Sequence, residues 1–306
     1  MTYKVHCLNN ISQAGLDLLT DEYELVDAPD EAAVILVRSA NMHDMQISPS
    51  LKAVARAGAG VNNIPLDAMA DAGVAVFNTP GANANAVKEL VLAGMLLSAR
   101  DVLGGIDWVR ENVDDENVGK AAEKAKKAFA GGEIAGKTLG VIGLGAIGRM
   151  VVGAAEALGM NVVGYDPFMD AQRAADISSD LRFVEDLADL YATSDYITIH
   201  VPATDATKGM IDAEAISQMK DGVVFLNFSR DVLVDDDAMA ASLASGKVAR
   251  YVTDFANPAV VAMERAIVLP HLGASTAEAE DNCAKMAVEE VMAYLADGTK
   301  THCVNL

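Results

Sequence analysis

The chain has 306 residues, enough for two α/β domains with separate cores. Its net charge of -21 argues against a nucleic-acid partner, because an acidic surface is repelled by phosphate backbones. No apolar run is long enough to cross a bilayer, and the three cysteines are too scattered for a disulfide framework or a zinc site. The composition therefore predicts a cytoplasmic protein with reduced thiols, no membrane partner and no metal.

The N-terminal part of the chain alternates strand patterns with helix patterns. Apolar strand patterns fall at residues 3–8, 34–37, 51–55 and 74–77. A helical pattern covers 11–19, a longer one covers 85–110, and the polar stretch 111–133 reads as a loop-rich bridge. This order predicts a small parallel sheet with glycine-rich loops at the carboxyl ends of its strands, where ligands of open α/β sheets bind.

A glycine-rich turn follows the apolar strand Leu139–Ile142. Gly143, Gly145 and Gly148 form the pattern G-x-G-x-x-G at the start of a helical segment. In a dinucleotide fold the first glycine permits a tight turn, the second lets the backbone approach a pyrophosphate, and the third lets helix and strand pack closely. The alternative is a plain glycine turn, but the strand before it and the helix after it favour a dinucleotide site.

An acidic residue lies at the end of the next apolar run. Asp166 follows Tyr165, about twenty residues beyond the glycine turn, where a carboxylate can accept hydrogen bonds from both ribose hydroxyls. Pro167 and Phe168 come next, with no arginine to receive a 2′-phosphate. The pattern therefore predicts NAD rather than NADP as the cofactor.

The C-terminal half continues as strands separated by helices. Six strands are predicted at residues 139–142, 162–165, 196–200, 223–227, 250–254 and 267–269. A helix is expected over 275–295, and the tail 301–306 can return as a strand to the first domain. Because the glycine turn lies in mid-chain, we expect a Rossmann NAD domain (98–282) inserted into a smaller substrate domain (1–97 and 283–306), both of them doubly wound parallel sheets.

Eight short stretches together resemble a known family. They are 37–40 (VRSA), 56–64 (RAGAGVNNI), 78–83 (NTPGAN), 137–148 (KTLGVIGLGAIG), 165–167 (YDP), 200–202 (HVP), 227–230 (NFSR) and 270–276 (PHLGAST). In this order they resemble the D-2-hydroxyacid dehydrogenases, and within them the short phosphoglycerate dehydrogenases. The resemblance implies a flavodoxin-like substrate domain, domain closure over the substrate and homodimers formed by the NAD domains. It also implies that the chain lacks the serine-sensing domain of longer relatives.

Two side chains match the family's catalytic pair. Oxidation of a 2-hydroxy acid needs a base for the hydroxyl proton, and His271 matches the family's acid/base histidine. Arg230 matches the arginine that binds the substrate carboxylate with its forked guanidinium. The alternatives are a structural histidine and a surface ion pair of Arg230 with a neighbouring aspartate (Asp231, Asp235 or Asp236).

A glycine-rich loop of the first domain matches the family's substrate-binding loop. Arg56 opens this loop, and the resemblance implies that it faces the phosphate of a phosphorylated substrate. Backbone N–H groups at Ala59, Gly60 and Val61 and the amide of Asn83 would bind the carboxylate. The alternative for Arg56 is a salt bridge between domains.

The family's NAD site maps onto residues spread over the C-terminal half. Asp254 matches an aspartate that receives the nicotinamide carboxamide. The wall of the NAD pocket is matched by His200, Pro202 and Thr207, for which plain packing is the alternative. The complete predicted cofactor set is Gly143, Gly145, Ala146, Ile147, Gly148, Tyr165, Asp166, Pro167, His200, Val201, Pro202, Thr207, Asn227, Phe228, Ser229 and Asp254.

The chain departs from the family at one catalytic position. Relatives carry a glutamate that hydrogen-bonds the histidine, and this slot holds Asn257, whose amide cannot stabilise an imidazolium by charge. Three hypotheses follow: Glu264 replaces the carboxylate, the enzyme works without it, or the chain binds NAD and does little chemistry. Asp231 also stands where a glycine is usual.

The sequence leaves three functions open. The first is an NAD-dependent phosphoglycerate dehydrogenase, which converts 3-phosphoglycerate to 3-phosphohydroxypyruvate in serine biosynthesis. The second is a hydroxypyruvate or glyoxylate reductase of the same family. The third, of another class, is an NAD-sensing binding protein, which the missing glutamate supports and the His271–Arg230 pair opposes.

Overall fold

We describe residues 2–306 in a computed structural model. The strands are β1 (Tyr3–Cys7), β2 (Tyr23–Leu25), β3 (Val34–Val37), β4 (Ala53–Arg56), β5 (Ala75–Phe77), β6 (Thr138–Ile142), β7 (Asn161–Tyr165), β8 (Arg182–Phe183), β9 (Tyr196–Ile199), β10 (Val223–Asn227), β11 (Val248–Thr253) and β12 (Ala266–Val268). The α-helices are α1 (Gln13–Leu16), α2 (Leu66–Asp71), α3 (Ala84–Ala99), α4 (Val102–Glu111), α5 (Val118–Ala125), α6 (Ala146–Ala157), α7 (Ala171–Ala175), α8 (Leu187–Thr193), α9 (Ala213–Gln218), α10 (Asp236–Ser245), α11 (Pro258–Val261) and α12 (Ala277–Asp297). None of these helices is long and apolar enough to cross a membrane.

The chain divides into two compact units. The first unit contains the residues up to Ala86 together with Ala274–Leu306, and the second unit contains Val87–Gly273. The domain limits predicted from the sequence, after residues 97 and 282, both lie C-terminal to these two junctions. The division into a substrate domain and an NAD domain stays a prediction.

The first unit is built on a five-stranded parallel sheet with the order β2-β1-β3-β4-β5. This is the flavodoxin-like order that was expected. All four residues of β3 are buried, because a parallel sheet is covered on both faces. One face packs against α12 through Ala284 and Val288, and the other packs around Met69 of α2.

The second unit is built on a seven-stranded parallel sheet with the order β12-β11-β10-β9-β6-β7-β8. Counted from β6, this is the Rossmann order, extended by one strand beyond its sixth. The predicted α/β class, with two doubly wound sheets, is therefore confirmed. The prediction of six strands in this sheet was wrong because β8 has only two residues and carries no apolar pattern.

The region between β5 and β6 has more helices than the sequence predicts. The single helix predicted over 85–110 is wrong: α3 ends at Ala99, and the side chain of Asp101 caps α4 by accepting a hydrogen bond from Gly104 N at 3.3 Å. The predicted loop over 111–133 contains α5, whose alanine and lysine residues are strong helix formers. The helix predicted over 11–19 shortens to the four residues of α1.

The C-terminal tail pairs with the edge of the first sheet. Cys303 forms an isolated antiparallel bridge with Phe77, so the tail is a bridge and not the strand suggested by its sequence. The Asn305 side chain completes this contact: its Oδ1 accepts a hydrogen bond from Val76 N at 2.8 Å, and its Nδ2 donates to Val74 O at 2.9 Å. The side-chain amide of Asn305 therefore makes the hydrogen bonds at the edge of the sheet that the backbone of a sixth strand would otherwise make.

Asn305→Ala tests this replacement. The change leaves the Val76 N–H and the Val74 carbonyl without their partner at a buried edge, so we expect the first unit to lose about 1–3 kcal/mol of unfolding free energy. Urea unfolding and hydrogen exchange at the Val76 amide measure the effect. Thr301→Ala, at an exposed tail residue, is the control. Equal stability of the two variants would contradict the proposed role of Asn305.

Candidate active site

The glycine-rich turn has the close contacts that its sequence predicts. Gly143 has φ +90°, and a Cβ on it would lie 2.7 Å from His200 O. A Cβ on Gly148 would lie 1.9 Å from Gly143 O, so only glycine fits. In contrast, no atom lies within 4 Å of the position of a Gly145 Cβ. The backbone at the start of α6 is therefore open to a ligand, as a pyrophosphate site requires.

Asp166 is joined to this turn by backbone hydrogen bonds. Its Oδ2 accepts a hydrogen bond from Leu144 N and its Oδ1 accepts one from Phe168 N, both at 2.9 Å. Each carboxylate oxygen has a further lone pair, so the fixed carboxylate can still accept a ribose hydroxyl. Pro167 and Phe168 follow it on the surface, and Phe168 is 87% exposed.

The loop after β9 continues the edge of the same sheet. The Thr207 hydroxyl donates to Pro202 O at 2.6 Å and accepts a hydrogen bond from Thr204 N at 2.8 Å, which closes the loop. His200 Nε2 lies 3.0 Å from Thr198 Oγ1, whereas its Nδ1 is buried and has no partner among the described residues. Burial of this ring lowers the pKa of His200 to about 3, so the imidazole is neutral at physiological pH.

A turn after β10 positions Arg230. The buried Asn227 holds this turn from both sides, because its Nδ2 donates to Arg230 O at 2.8 Å and its Oδ1 accepts from Ser229 N at 3.1 Å. Ser229 Oγ donates to Val201 O at 2.6 Å, which ties the turn to the loop after β9. The Arg230 guanidinium donates to Ser229 O at 2.6 Å. Within residues 2–306 it forms no ion pair with the neighbouring aspartates.

A cavity of about 290 Å³ lies at the ends of β11 and β12. It is lined by Asp231, Asp254, Phe255, Ala256, Asn257, Pro270 and His271. The predicted catalytic histidine and the predicted nicotinamide-binding aspartate therefore line one cavity, although 17 positions separate them in the sequence.

The backbone of Asp254 holds His271 in an unusual conformation. His271 N donates to Asp254 O at 2.9 Å, and His271 has φ +51°, which is rare for a residue with a side chain. Its ring meets the Phe255 ring edge-on at 5.1 Å. These two contacts hold the histidine among the residues that line the cavity.

The side chain of Asp254 has one satisfied oxygen and one unsatisfied oxygen. Its Oδ2 accepts a hydrogen bond from Gly273 N at 2.8 Å, whereas its buried Oδ1 has no partner among the described residues. Burial raises the pKa of Asp254, and the Gly273 N–H and the charges of His271 and Arg230 oppose that rise. A buried acceptor without a donor fits an amide group of a ligand.

Asn257 makes its hydrogen bonds away from the histidine. Its Nδ2 donates to Asp236 Oδ2 at 2.8 Å, and its Oδ1 accepts from Val260 N at 2.9 Å and so caps α11. Glu264 is exposed, and no hydrogen bond in the described part of the chain joins it to His271. The catalytic role of Asn257 stays a prediction, as does the replacement by Glu264.

In the first unit, the guanidinium of Arg56 lies along its own loop. Its Nε donates to Arg38 O at 3.0 Å, and a Cβ on Gly58 would lie 2.7 Å from Arg56 Nη1. The next loop joins it, because Asn78 Nδ2 donates to Ala59 O at 2.6 Å. Gly60, Val61 and Asn83 are all partly exposed.

Two residues outside the predicted substrate set, Arg38 and Asn9, lie next to the Arg56 loop. Arg38 follows β3, whose last residue pairs with Arg56 in the sheet register, so the two arginines lie at neighbouring strand ends. Asn9 Oδ1 accepts hydrogen bonds from the three successive N–H groups of Arg38, Ser39 and Ala40 at 2.9–3.1 Å. The stretch 37–40 already marked Arg38 in the sequence, but no local signal marked Asn9, which lies 29 positions earlier.

The chain is similar to known dehydrogenases along nearly its whole length. Residues 92–273 match the family model "D-isomer specific 2-hydroxyacid dehydrogenase, NAD binding domain". A D-3-phosphoglycerate dehydrogenase of Mycobacterium leprae is 36% identical over 318 residues; the match covers 97% of this chain and 58% of that relative. The chain thus spans little more than half of that relative. A hydroxypyruvate reductase of Thermotoga maritima is 34% identical over 317 residues, with 96% of this chain and 98% of the relative covered.

Solved structures share the fold. A glyoxylate reductase from Paecilomyes thermophila superposes with a TM-score of 0.83 at 25% identity and covers 99% of this chain and 98% of its own. A 3-phosphoglycerate dehydrogenase of Entamoeba histolytica, solved with NAD⁺, gives a TM-score of 0.78 at 24% identity and covers 100% and 99% of the two chains. The solved structures share the fold, and the family model, which describes an NAD binding domain, confirms the prediction of NAD as the cofactor.

The neutral His200 predicts a pH dependence of stability. Its folded-state pKa of about 3 lies below the unfolded value of about 6.5, so the unfolded chain binds more protons between these pH values. Stability therefore falls as the pH drops through and below the unfolded value, by about 2 kcal/mol for this residue between pH 7 and 5. His200→Gln should remove that part of the loss, measured by urea unfolding at pH 7 and pH 5 without cofactor.

The control for this measurement is His43→Gln, which removes an imidazole from an exposed position. An identical pH dependence of the wild type and His200→Gln would show that His200 is not the residue responsible.

Proposed function

Because the chain belongs to the D-isomer specific 2-hydroxyacid dehydrogenase family, we propose that it interconverts 3-phosphoglycerate and 3-phosphohydroxypyruvate with NAD. This reaction opens serine biosynthesis, and we place it in the cytoplasm. The observation that carries the choice of a phosphorylated substrate is the pair Arg38 and Arg56 at neighbouring strand ends of the first unit. In a chain with a net charge of -21, a local pair of arginines is the feature that can attract a phosphate.

The second unit would hold NAD through the glycine turn, Asp166 and Asp254. The open backbone at Gly145 fits the pyrophosphate, and the unpaired Oδ1 of Asp254 fits the carboxamide of the nicotinamide ring. NAD bound there supplies the hydride acceptor.

His271 and Arg230 would act on the substrate itself. His271 takes the hydroxyl proton during oxidation and returns it during reduction. Arg230 binds the carboxylate through its guanidinium fork and stabilises negative charge on the substrate oxygen. Asp254 lines the same cavity as His271, so that cavity contains a carboxylate although Asn257 fills the family's glutamate position.

A second candidate is a hydroxypyruvate reductase. The Thermotoga maritima relative favours it, because that enzyme is matched over 98% of its length. The two candidates differ in the need for a phosphate-binding residue, which makes Arg56 the residue to test.

Comparison of three substrates separates these candidates. We expect NADH oxidation to be fastest with 3-phosphohydroxypyruvate, compared with hydroxypyruvate and glyoxylate. Arg56→Ala should lower kcat/KM for the phosphorylated substrate by about 30-fold, equivalent to about 2 kcal/mol, because a charge-assisted contact is lost. The values for the other two substrates should change little. Arg182→Ala, at an exposed arginine of β8, is the control. Preference for an unphosphorylated acid would instead support the reductase.

We further propose a homodimer formed by the NAD-binding domain. Helix α4 exposes Val102, Ile106 and Val109, which are 38%, 42% and 53% accessible. Their spacing of four and three residues places them on one helix face. A contiguous exposed apolar face of this kind is typical of a protein interface, and a second copy of the chain covers it in our proposal.

Charge on this face should separate the two chains. The double variant Ile106→Glu with Val109→Glu buries two carboxylates in the proposed interface, so we expect a monomer at micromolar concentration. Light scattering coupled to size-exclusion chromatography gives the mass. Glu111→Lys, which changes the charge on the opposite side of α4, should leave the dimer intact. A monomeric wild-type chain would refute the proposal.

A further inference from the structure

One of the two arginines in the first unit is already paired with a carboxylate. Arg38 Nη1 lies 2.8 Å from Glu280 Oε1, and the two side chains are 38% and 42% exposed. An ion pair exposed to this degree contributes little to folding stability. It does, however, place a negative charge where an anionic ligand of Arg38 would bind.

Glu280 is held firmly in this position by α12. It lies in the first turn of this 21-residue helix, and its N–H donates to Thr276 O at 3.1 Å. The Thr276 side chain caps the same turn by accepting a hydrogen bond from Ala279 N. The capped first turn of the helix therefore places a carboxylate next to Arg38.

Arg38 is coupled in turn to Arg56. The Arg38 carbonyl accepts the hydrogen bond of Arg56 Nε at 3.0 Å, and Asn9 fixes the backbone N–H of Arg38. The Arg56 side chain is therefore held against the backbone of Arg38, the residue whose guanidinium pairs with Glu280.

We propose that Glu280 is a specificity-determining residue that restrains the binding of phosphorylated substrates. A phosphate dianion that binds Arg38 must either displace the Glu280 carboxylate or approach it against charge repulsion. A substrate without a phosphate does not meet this penalty. Glu280 thereby sets the ratio of activity towards phosphorylated and unphosphorylated 2-oxo acids. This inference rests on the proposed function.

Binding of inorganic phosphate to the full chain tests the charge effect without catalysis. At constant ionic strength, Glu280→Gln should bind phosphate about five- to tenfold more tightly than the wild type, measured by isothermal titration calorimetry. Glu278→Gln removes the same charge from the same helix turn, but Glu278 has no ion pair in the described chain, so its affinity should change by less than about twofold. In an Arg38→Ala background the effect of Glu280→Gln should vanish. Equal affinities of the two glutamine variants would overturn the proposal.

Kinetics then test the link to specificity. In Glu280→Gln, the ratio of kcat/KM for 3-phosphohydroxypyruvate to that for hydroxypyruvate should rise by the same factor as the phosphate affinity, with KM for hydroxypyruvate unchanged. An unchanged ratio overturns the proposal. A wild-type chain that turns over neither acid refutes the proposed function, whereas the phosphate titration still decides the role of Glu280.

Discussion

Parallel strand pairing is the constraint on which the rest of this structure depends. In a parallel sheet all strands end at one edge, so residues that are distant in sequence meet wherever neighbouring strands stop. In the first unit this brings Arg38 beside Arg56, after β3 and β4. In the second unit it brings Asp254 and His271 to one cavity, after β11 and β12. Strand order therefore decides which of the predicted site residues meet in each unit.

Backbone groups, and not only side chains, shape the glycine turn and hold Asp166 and His271 in place. The carbonyl of Gly143 lies so close to Gly148 that no side chain fits between them. The backbone N–H of Leu144 binds the carboxylate of Asp166, and the carbonyl of Asp254 binds the N–H of His271. These bonds fix the turns before any ligand arrives. A preorganised turn loses less conformational entropy on binding, which favours affinity.

Local charge contrasts with the charge of the whole chain. The protein has 44 acidic residues against 23 basic ones, so its overall field repels anions. The arginines at the strand ends act over short distances, where screening is weak and direct hydrogen bonds are possible. Glu280, which pairs with Arg38, places one of these acidic residues directly beside one of the arginines. In the proposed function, binding of an anion therefore depends on a small number of contacts.

The sequence by itself determined most of the order of strands and helices, the two parallel sheets and the glycine turn. These features depend on local apolar patterns and on the backbone freedom of glycine. It missed β2 and β8, which have only three and two residues, and it missed the break between α3 and α4, which depends on one capping aspartate. Only the tertiary structure decided that Asn257 bonds Asp236, that Asn9 holds the Arg38 loop and that Glu280 pairs with Arg38. These partners lie 21 to 242 positions apart, and no local pattern encodes a hydrogen bond that folding creates between distant segments.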